Sequence, residues 1–224
     1  MALEDYERPS VAADIVIFTI KNEKLKILLI KRGVEPFIDS WALPGGFIKM
    51  DEDLDDSAKR ELKEETGVTP KYLEQLYTFG DVKRDPRGRV ISITYFALID
   101  YEKSQPKLNA KTDAKEAKWF SINDLPELAF DHKKILSYAL KRLKWKFEYT
   151  AIAFTFLPEK FTFPQLRMLY EIVFSKKFDK RNFRKKILAL NILQETNEKI
   201  TKVSYRPPQL YKLKENISEI IELI

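Results

Sequence analysis

Residues 46–68, which read GFIKMDEDLDDSAKRELKEETGV, decide the fold of this chain. They predict a polar helix that ends at Gly67, because glycine accepts the positive φ needed there. On that helix Glu61, Glu64 and Glu65 share one face, since residues three and four apart are neighbours. Three carboxylates on one face repel each other, and Mg²⁺ or Mn²⁺, which prefer oxygen ligands, would relieve the repulsion. The segment therefore predicts metal-assisted phosphate chemistry.

The fixed residues of this segment resemble the signature of the Nudix hydrolases. They are Gly46, Glu52, Arg60, Glu61, Leu62, Glu64, Glu65, Gly67 and Val68. The preceding Trp41–Gly45 is similar to the lead into this signature in many Nudix proteins. The segment Arg84–Arg89, followed by Ser92 and Tyr95, resembles a narrower Nudix subgroup. That subgroup joins a Nudix domain to a C-terminal winged helix. It contains ADP-ribose pyrophosphatase-like proteins and transcription factors of NAD and sugar metabolism.

The resemblance implies an α/β fold, a Nudix α/β/α sandwich with a mixed sheet. It also implies that the domain hydrolyses ADP-ribose or a similar nucleoside diphosphate sugar. Glu61 and Glu65, one helical turn apart, are the first predicted ligands of Mg²⁺ or Mn²⁺, with Glu64 assisting. The resemblance adds a backbone carbonyl near Gly45 as a ligand. The predicted catalytic residues are Glu52, Arg60, Glu61, Glu64, Glu65 and Glu116.

Other residues support that predicted centre. We expect Arg60 to pair with a carboxylate of the motif, Glu52 being the first candidate, and Gly46 to permit close backbone approach. Nudix enzymes usually recruit a general base or further ligand from a later loop. Asp113 and Glu116 are the candidates here, and either is equally well explained as a solvated loop charge.

Substrate contacts are predicted from a basic segment and from two aromatic residues. Arg84, Arg87 and Arg89 can clamp phosphates or ribose through bidentate bonds, the alternative being a solvated hairpin. Phe37 and Trp41 can stack on a base, although packing in the core is the better interpretation of Trp41.

Hydrophobic periodicity outlines a first domain over residues 1–149. Its predicted elements are strands Val11–Ile20, Leu25–Ile30, Trp41–Gly46 and Val90–Ile99, a helix capped by Asp55 or Ser57 with apolar Leu54, Ala58 and Leu62, a mobile loop Lys103–Lys115, and a helix His132–Phe147. His132 is expected to cap that last helix or to form a local hydrogen bond.

Residues 150–224 form a predicted second domain that carries the excess charge. Residues 151–224 hold 14 Lys and Arg against 8 Asp and Glu, which accounts for the net +6 of the chain. We predict a strand over Ala153–Leu157, a helix after the capping box of Thr162 and Gln165, a helix capped by Asp179, and a two-stranded ribbon. This order is typical of a winged helix-turn-helix.

The second domain is expected to bind a palindromic DNA operator as a homodimer. The predicted DNA contacts are Lys180, Arg181, Arg184, Lys185 and Arg206. Arginine can pair with guanine edges, whereas lysine mostly contacts phosphate. The alternative is a basic winged helix that only mediates dimer contacts.

Composition excludes several classes of site and location. The chain of 224 residues has no cysteine and one histidine, so disulfides, thiolate metal sites and multi-histidine sites within one chain are excluded. Neither a membrane-spanning run nor a secretory signal is recognisable, and we expect a cytoplasmic protein. Two functions remain open: a hydrolase with a vestigial or dimerising winged helix, and a transcription factor whose Nudix domain senses a ligand.

Overall fold

The central strand of the first sheet is β1, Ser10–Lys21, whose apolar run is buried without interruption at positions 13–18. Such continuous burial is typical of a strand that is covered on both faces. Asn22 and Glu23, both with positive φ, turn the chain into β2, Lys24–Arg32, as a type I′ hairpin requires. The computed structural model describes residues 5–101, 114–199 and 208–215.

The first sheet is mixed, as predicted. Its path runs β3-β2-β1-β6-β5, and two further strands join it, β4 on β1 and β7 on β2. β6 lies parallel to β1, whereas β5 is antiparallel to β6. These strands are β3 (Trp41–Ala42), β4 (Gly45–Phe47), β5 (Tyr72–Phe79), β6 (Val90–Leu98) and β7 (Ala114–Ser121).

The helix predicted from residues 46–68 is α1, Leu54–Thr66. Gly67, at φ 68°, ends it as predicted, with its amide donating to the carbonyl of Lys63. The predicted caps Asp55 and Ser57 are wrong, because the N-cap is Asp53, two residues before Asp55 and four before Ser57. Asp55 instead lies in the first turn, where a negative charge is favourable.

One side of α1 packs on the sheet through a hydrophobic core. Ala58 and Leu62 are buried there, but Leu54 is 39% exposed, so the prediction of an apolar side held for two of its three residues. Burying an apolar side chain stabilises the fold by roughly 1.5–3 kcal/mol. The sheet side of this core consists of Ile15, Ile17, Leu28, Tyr95, Ala97 and Ile99.

The second helix, α2, runs uninterrupted from His132 to Tyr149 and confirms the predicted helical spacing. The chain divides into two compact units, residues 1–21 with 26–139 and residues 22–25 with 140–224. That division falls inside α2, so the boundary at residues 149 and 150 stays a prediction. No helix among the described residues has both the length and the apolar character needed to cross a bilayer.

The second unit has the predicted order of helices and ribbon. Its helices α3, Phe163–Phe174, and α4, Lys180–Ala189, begin at the predicted caps. Thr162 and Gln165 form the full capping box. Strands β8, Leu193–Lys199, and β9, Gln209–Leu213, pair antiparallel.

One predicted strand of the second unit is wrong. Residues Ala151–Phe156 form a 3₁₀ helix, started by Thr150, whose hydroxyl accepts a hydrogen bond from the amide of Ile152 at 3.2 Å. Adjacent Ile152 and Ala153 are both buried, which a helical turn allows and the alternation of a half-buried strand does not.

Candidate functional site

The first unit surrounds a cavity of about 310 Å³ that collects most of the predicted chemistry. Its charged and aromatic lining residues come from β1, β2, β4, α1, the segment after β5 and the start of α2. They are Asp14, Arg32, Phe47, Glu61, Glu64, Glu65, Arg84, Asp85, Arg87, Phe130 and His132. Acidic and basic groups therefore share one concave site, as an anionic ligand held with a cation would need.

Two glutamates of α1 meet the glycine turn at β4. Glu65 Oε2 accepts a hydrogen bond from the Gly45 amide at 2.7 Å. A Cβ at Gly46 would lie 2.3 Å from Glu61 Oε1, so only glycine leaves room for that carboxylate. Glu61 and Glu65 are buried, whereas the Glu64 side chain is 48% exposed. The structure thus brings all four predicted metal-binding residues, Gly45, Glu61, Glu64 and Glu65, to the lining of one cavity.

Arg60 organises the carboxylates around it, as predicted. Its guanidinium binds both carboxylate oxygens of Glu52, with Nη2 donating to Oε2 at 2.8 Å. Nη1 also donates to Glu61 Oε1 at 2.6 Å and to Glu64 Oε2 at 3.2 Å. The hydrogen bond from Arg60 lowers the pKa of Glu52 to about 2. Arg60 therefore keeps Glu52 ionised and fixes the position of Glu61.

The pKa of Glu61 is shifted in the opposite direction from that of Glu52. Burial raises the pKa of the Glu61 carboxyl above its ordinary value, although hydrogen bonding and charge from Arg60 oppose the change. Negative charge on Glu64 and Glu52 raises that pKa further. A cation beside Glu61 would favour its ionised form.

These residues fit a hard divalent ion such as Mg²⁺. Glu61 and Glu65 supply two carboxylates beside a glycine backbone, and Mg²⁺ in phosphate-handling sites commonly uses one or two carboxylates plus water and substrate oxygens. Within residues 5–101, 114–199 and 208–215, no three Asp, Glu, His or Cys side chains converge as a complete cage. The protein therefore offers a partial ligand set that a phosphate would complete.

A buried ion cluster forms another wall of the cavity. Arg84 Nη2 donates to Asp14 Oδ2 at 3.1 Å and to Asp131 Oδ1 at 2.8 Å. Ser92 Oγ donates to Asp14 Oδ2 at 2.5 Å. The Arg84 side chain is only 4% exposed, so two carboxylates hold it in place. Its predicted contact with substrate stays a prediction.

His132 adjoins this cluster but does not form the predicted local bond. Its Nδ1 accepts from the Leu43 amide at 2.8 Å, a contact 89 residues away in the chain. Its Nε2 lies 3.8 Å from Asp14 Oδ1. Burial lowers the pKa of His132, although the charges of Asp14 and Asp131 oppose this. The imidazole is therefore a neutral anchor for the turn before β4.

Arg87 presents a cation to the same cavity. Asp85 fixes its guanidinium through two bonds, Nε to Oδ1 at 3.0 Å and Nη2 to Oδ2 at 2.7 Å. The guanidinium carbon lies 5.1 Å from the ring centroid of Phe47 and 5.7 Å from that of Phe130. The side chain stays 42% exposed, so Arg87 is held in orientation while it can still reach an anion.

Three other predicted contacts lie outside the lining of the cavity. Arg89 donates to the Gly80 carbonyl at 2.7 Å. Phe37 packs edge to face on Phe130, with ring centroids 4.7 Å apart. Trp41 packs on Phe120 in the same manner, which supports core packing over base stacking. Phe37 thus reaches the cavity only through Phe130, whereas the partner of Arg89, Gly80, does not line it.

The position of Glu116 does not agree with its predicted role as general base. It lies on β7, where the sequence predicted a loop, and pairs with Lys31 of β2. Directly paired residues share a face of the sheet, and Lys31 alternates with Ile30 and Arg32, which line the cavity. Glu116 therefore faces away from the cavity. The other candidate, Asp113, lies outside the described residues.

Sequence reasoning missed several residues of the site. Asp14 and Asp85 are buried acids, and Phe47 and Phe130 flank Arg87. Only Asp14 gave a usable signal, as the single acidic residue inside the apolar run of β1, where a buried charge needs a partner. Phe130 adopts φ 53°, which is uncommon for an aromatic residue and cannot be read from the sequence.

The predicted DNA contacts of the second unit divide into two groups. Lys180, Arg181, Arg184 and Lys185 are all exposed on α4, as predicted. Arg184 also donates through Nη2 to the hydroxyl of Tyr211 on β9 at 2.8 Å. Its side chain is therefore drawn towards the ribbon. Arg206 lies outside the described residues.

Two family models match the chain at positions that agree with its two folds. They are described as NUDIX domain, over residues 9–139, and NrtR DNA-binding winged helix domain, over residues 153–213. The chain belongs to the Nudix family. This Nudix protein also carries the winged-helix domain that its element order predicted, so both parts of the expected fold are confirmed.

Similar proteins include both regulators and enzymes. This Nudix protein is 36% identical over 213 residues to the ADPR responsive transcriptional repressor NtrR of Acinetobacter baylyi, a match that covers 93% of this chain and 83% of that protein. It is 44% identical over 141 residues to the ADP-ribose pyrophosphatase of Methanocaldococcus jannaschii, with 63% and 77% covered. The crystal structure of Shewanella oneidensis NrtR complexed with a 27mer DNA superposes with a TM-score of 0.77 at 36% identity, covering 91% and 93%.

Proposed function

We propose that this Nudix protein hydrolyses the phosphoanhydride of ADP-ribose, or of a similar nucleoside diphosphate sugar, in the cavity of the first unit. Water would add to one phosphorus and the bridging P–O bond would break, giving AMP and ribose 5-phosphate from ADP-ribose. The observation that carries the proposal is the buried pair Glu61 and Glu65 against Gly45 and Gly46. The 44% identity to an ADP-ribose pyrophosphatase supports this substrate.

Glu61 and Glu65 would hold Mg²⁺ or Mn²⁺, with Glu64 and a backbone oxygen near Gly45 as further ligands. A bound divalent ion supplies charge neutralisation and lowers the pKa of a water. Arg60 positions Glu61 through a 2.6 Å bond, and the Gly45 amide positions Glu65.

The other residues of the cavity would bind and orient the anionic substrate. Arg87, fixed by Asp85 and still partly exposed, can donate to phosphate or ribose oxygens. Arg84 keeps N–H groups beyond those that bind Asp14 and Asp131, because guanidinium has five. Because the Arg84 side chain is only 4% exposed, water screens its contacts less than those of a surface arginine.

The experiment is to follow AMP release from ADP-ribose with and without Mg²⁺. Glu65→Gln keeps the size of the side chain but removes the charge, and we expect it to reduce AMP release to background. Glu116→Gln is the matched control on the opposite face of the sheet, and its rate should stay at the wild-type value. If neither AMP nor another monophosphate forms from a panel of such substrates, the hydrolase proposal is wrong.

We propose in addition that residues 150–224 bind a palindromic operator as part of a homodimer, so that the protein is a regulator responsive to the nucleotide sugar. The observation that favours this function is the 36% identity to an ADPR responsive repressor along 93% of this chain. Exposed Arg181 and Lys185 on α4 are available to DNA. Binding selections should recover one sequence, with affinity falling steeply with salt. If no preferred site is recovered, the regulator proposal is wrong and only the hydrolase proposal remains.

A further inference from the structure

The winged-helix unit contains a cavity of about 200 Å³ that the proposed hydrolysis does not use. It lies between the first turns of α3 and α4 and strand β9. Phe163 and Tyr211 form aromatic walls, with ring centroids 4.8 Å apart. Arg167, Lys180 and Arg184 are its charged residues. Of the described residues that line it, three are cationic and none is acidic, so its chemistry favours an anion.

Two of these cations have no carboxylate bound to them. Arg167 is paired with Glu171 at 2.9 Å, which offsets its charge. Within the described ranges no ion pair engages Lys180 or Arg184. The nearby carboxylate of Asp179 accepts from the amide of Asn182 as the cap of α4. Glu195 lies outside the lining but accepts from the Tyr211 hydroxyl at 3.1 Å, which offsets part of the charge of Arg184. With Glu171 beside Arg167, the charge of Lys180 still leaves the cavity net positive.

Arg184 is held so that part of its guanidinium remains available. Nη2 donates to the Tyr211 hydroxyl at 2.8 Å, and the guanidinium carbon lies 4.8 Å from the Phe163 ring centroid. Because guanidinium has five N–H groups, most of its donors remain for a ligand. A planar fork fixed on an aromatic face suits bidentate binding of an oxyanion.

The first turn of α3 adds to this potential. α3 is 12 residues long and its positive end, at Phe163, lines the cavity. Pro164 has no N–H and the Gln165 amide is bound to Thr162, so α3 contributes through its dipole rather than through free donors. The guanidinium of Arg184 and the ammonium of Lys180 are the donors that match the oxygens of a phosphate group.

We propose that this cavity is a phosphate-binding site, with Lys180 and Arg184 as its ligands. Arg184 is then a phosphate contact and not the reader of a base edge. The space accommodates a phosphate with part of an attached sugar. The same chemistry occurs in the phosphodiester of DNA and in a free nucleotide monophosphate, and the test separates these two sources.

The first arm titrates the full chain with inorganic phosphate and with AMP, followed by calorimetry and by ³¹P NMR. If free nucleotide is the source, AMP binds, and Lys180→Ala weakens that binding by at least about tenfold, as loss of one charge-assisted bond predicts. Lys186→Ala removes the same charge from an exposed position of α4 outside the cavity, and should leave AMP binding unchanged. AMP bound in the cavity of the first unit contributes equally to the wild type and to Lys180→Ala, so the difference between the two reports the second cavity.

The second arm measures DNA affinity against salt concentration for a preferred and an unrelated duplex. If DNA is the source, Lys180→Ala weakens both duplexes by the same factor and reduces the salt slope by about 1. Arg184→Lys, which keeps the charge but loses the fork, should also weaken both duplexes equally. Thermal unfolding of each variant verifies that the domain is intact.

Two results would overturn the phosphate site. One is that Lys180→Ala and Arg184→Lys, both folded, alter neither AMP binding nor DNA binding. The other is that Arg184→Lys changes the preferred DNA sequence, which would make Arg184 a base contact. If the wild-type chain binds no DNA, the proposed regulator function is wrong. AMP binding then decides by itself whether the phosphate site exists, so the two proposals fail separately.

Discussion

Gly46 lies so close to Glu61 that a single added carbon atom would displace the carboxylate. Because Glu61 is a proposed metal ligand, we expect Gly46→Ala to lower AMP release by about 100-fold, the usual cost of an ångström-scale displacement of a catalytic group. Initial rates at saturating Mg²⁺ measure this.

Gly80→Ala is the matched control for that substitution. At Gly80 the nearest atom to an added Cβ is Arg89 Nη2 at 3.9 Å, which is ordinary contact. Its rate should equal that of the wild type. Equal rates for both alanine variants would contradict the assigned role of Glu61.

His132 is the only histidine of the chain, so its titration can be followed as one imidazole signal by NMR. Burial lowers its pKa, and we expect a midpoint below the ordinary value of about 6.5. Between about pH 6.5 and the lower native pKa, the unfolded chain binds a proton that the native protein does not. The free energy of unfolding should therefore fall as pH drops from about 6.5 through the native pKa.

The control for this pH effect is His132→Asn, whose amide oxygen can still accept from the Leu43 amide. Urea unfolding between pH 7.5 and 5 should show a smaller loss of stability in this variant. Asp14, Asp131, Arg84 and Arg32, whose charges act on the pKa of His132, are present in both proteins. A histidine signal that titrates at or above about 6.5 would contradict the interpretation.

At the scale of one element, α1 depends on the residue that follows it, Gly67, to end the helix. Gly67 has φ 68°, a conformation that costs a residue with a Cβ about 1 kcal/mol. Gly67→Ala should lower the free energy of unfolding by about that amount, measured from the urea midpoint. Gly80, which lacks a positive φ, is the control, and the idea fails if both alanine variants are equally stable.

At the scale of the whole molecule, the charge difference between the neutral first part and the basic last third suggests two binding functions. The coupling between ADP-ribose binding and DNA binding can be measured. If ADP-ribose weakens DNA binding, DNA must weaken ADP-ribose binding by the same factor, because linkage is reciprocal. We expect a factor of about tenfold, within the usual range for coupled sites. Both constants should be measured on Glu65→Gln, so that the ligand survives. Unequal factors would indicate that the two titrations report different states.

The sequence alone determined the local features of the protein. Periodicity and end signals located α1 and its stop at Gly67, the capping box of α3 and the cap of α4 at Asp179. The motif was enough to predict the pair of Arg60 with Glu52, which precedes α1, and the spacing along α1 was enough to place Glu61 beside Glu65. These features could be predicted because each depends on residues within about two helical turns of one another.

Only the tertiary structure decided which distant residues meet. The Asp14, Arg84 and Asp131 cluster and the bond from Leu43 to His132 join segments separated by tens of residues. The pairing register of β2 and β7 places Glu116 on the face of the sheet that lies away from the cavity. A shift of one residue in such a register reverses every side chain, and nothing in the local sequence of either strand fixes it.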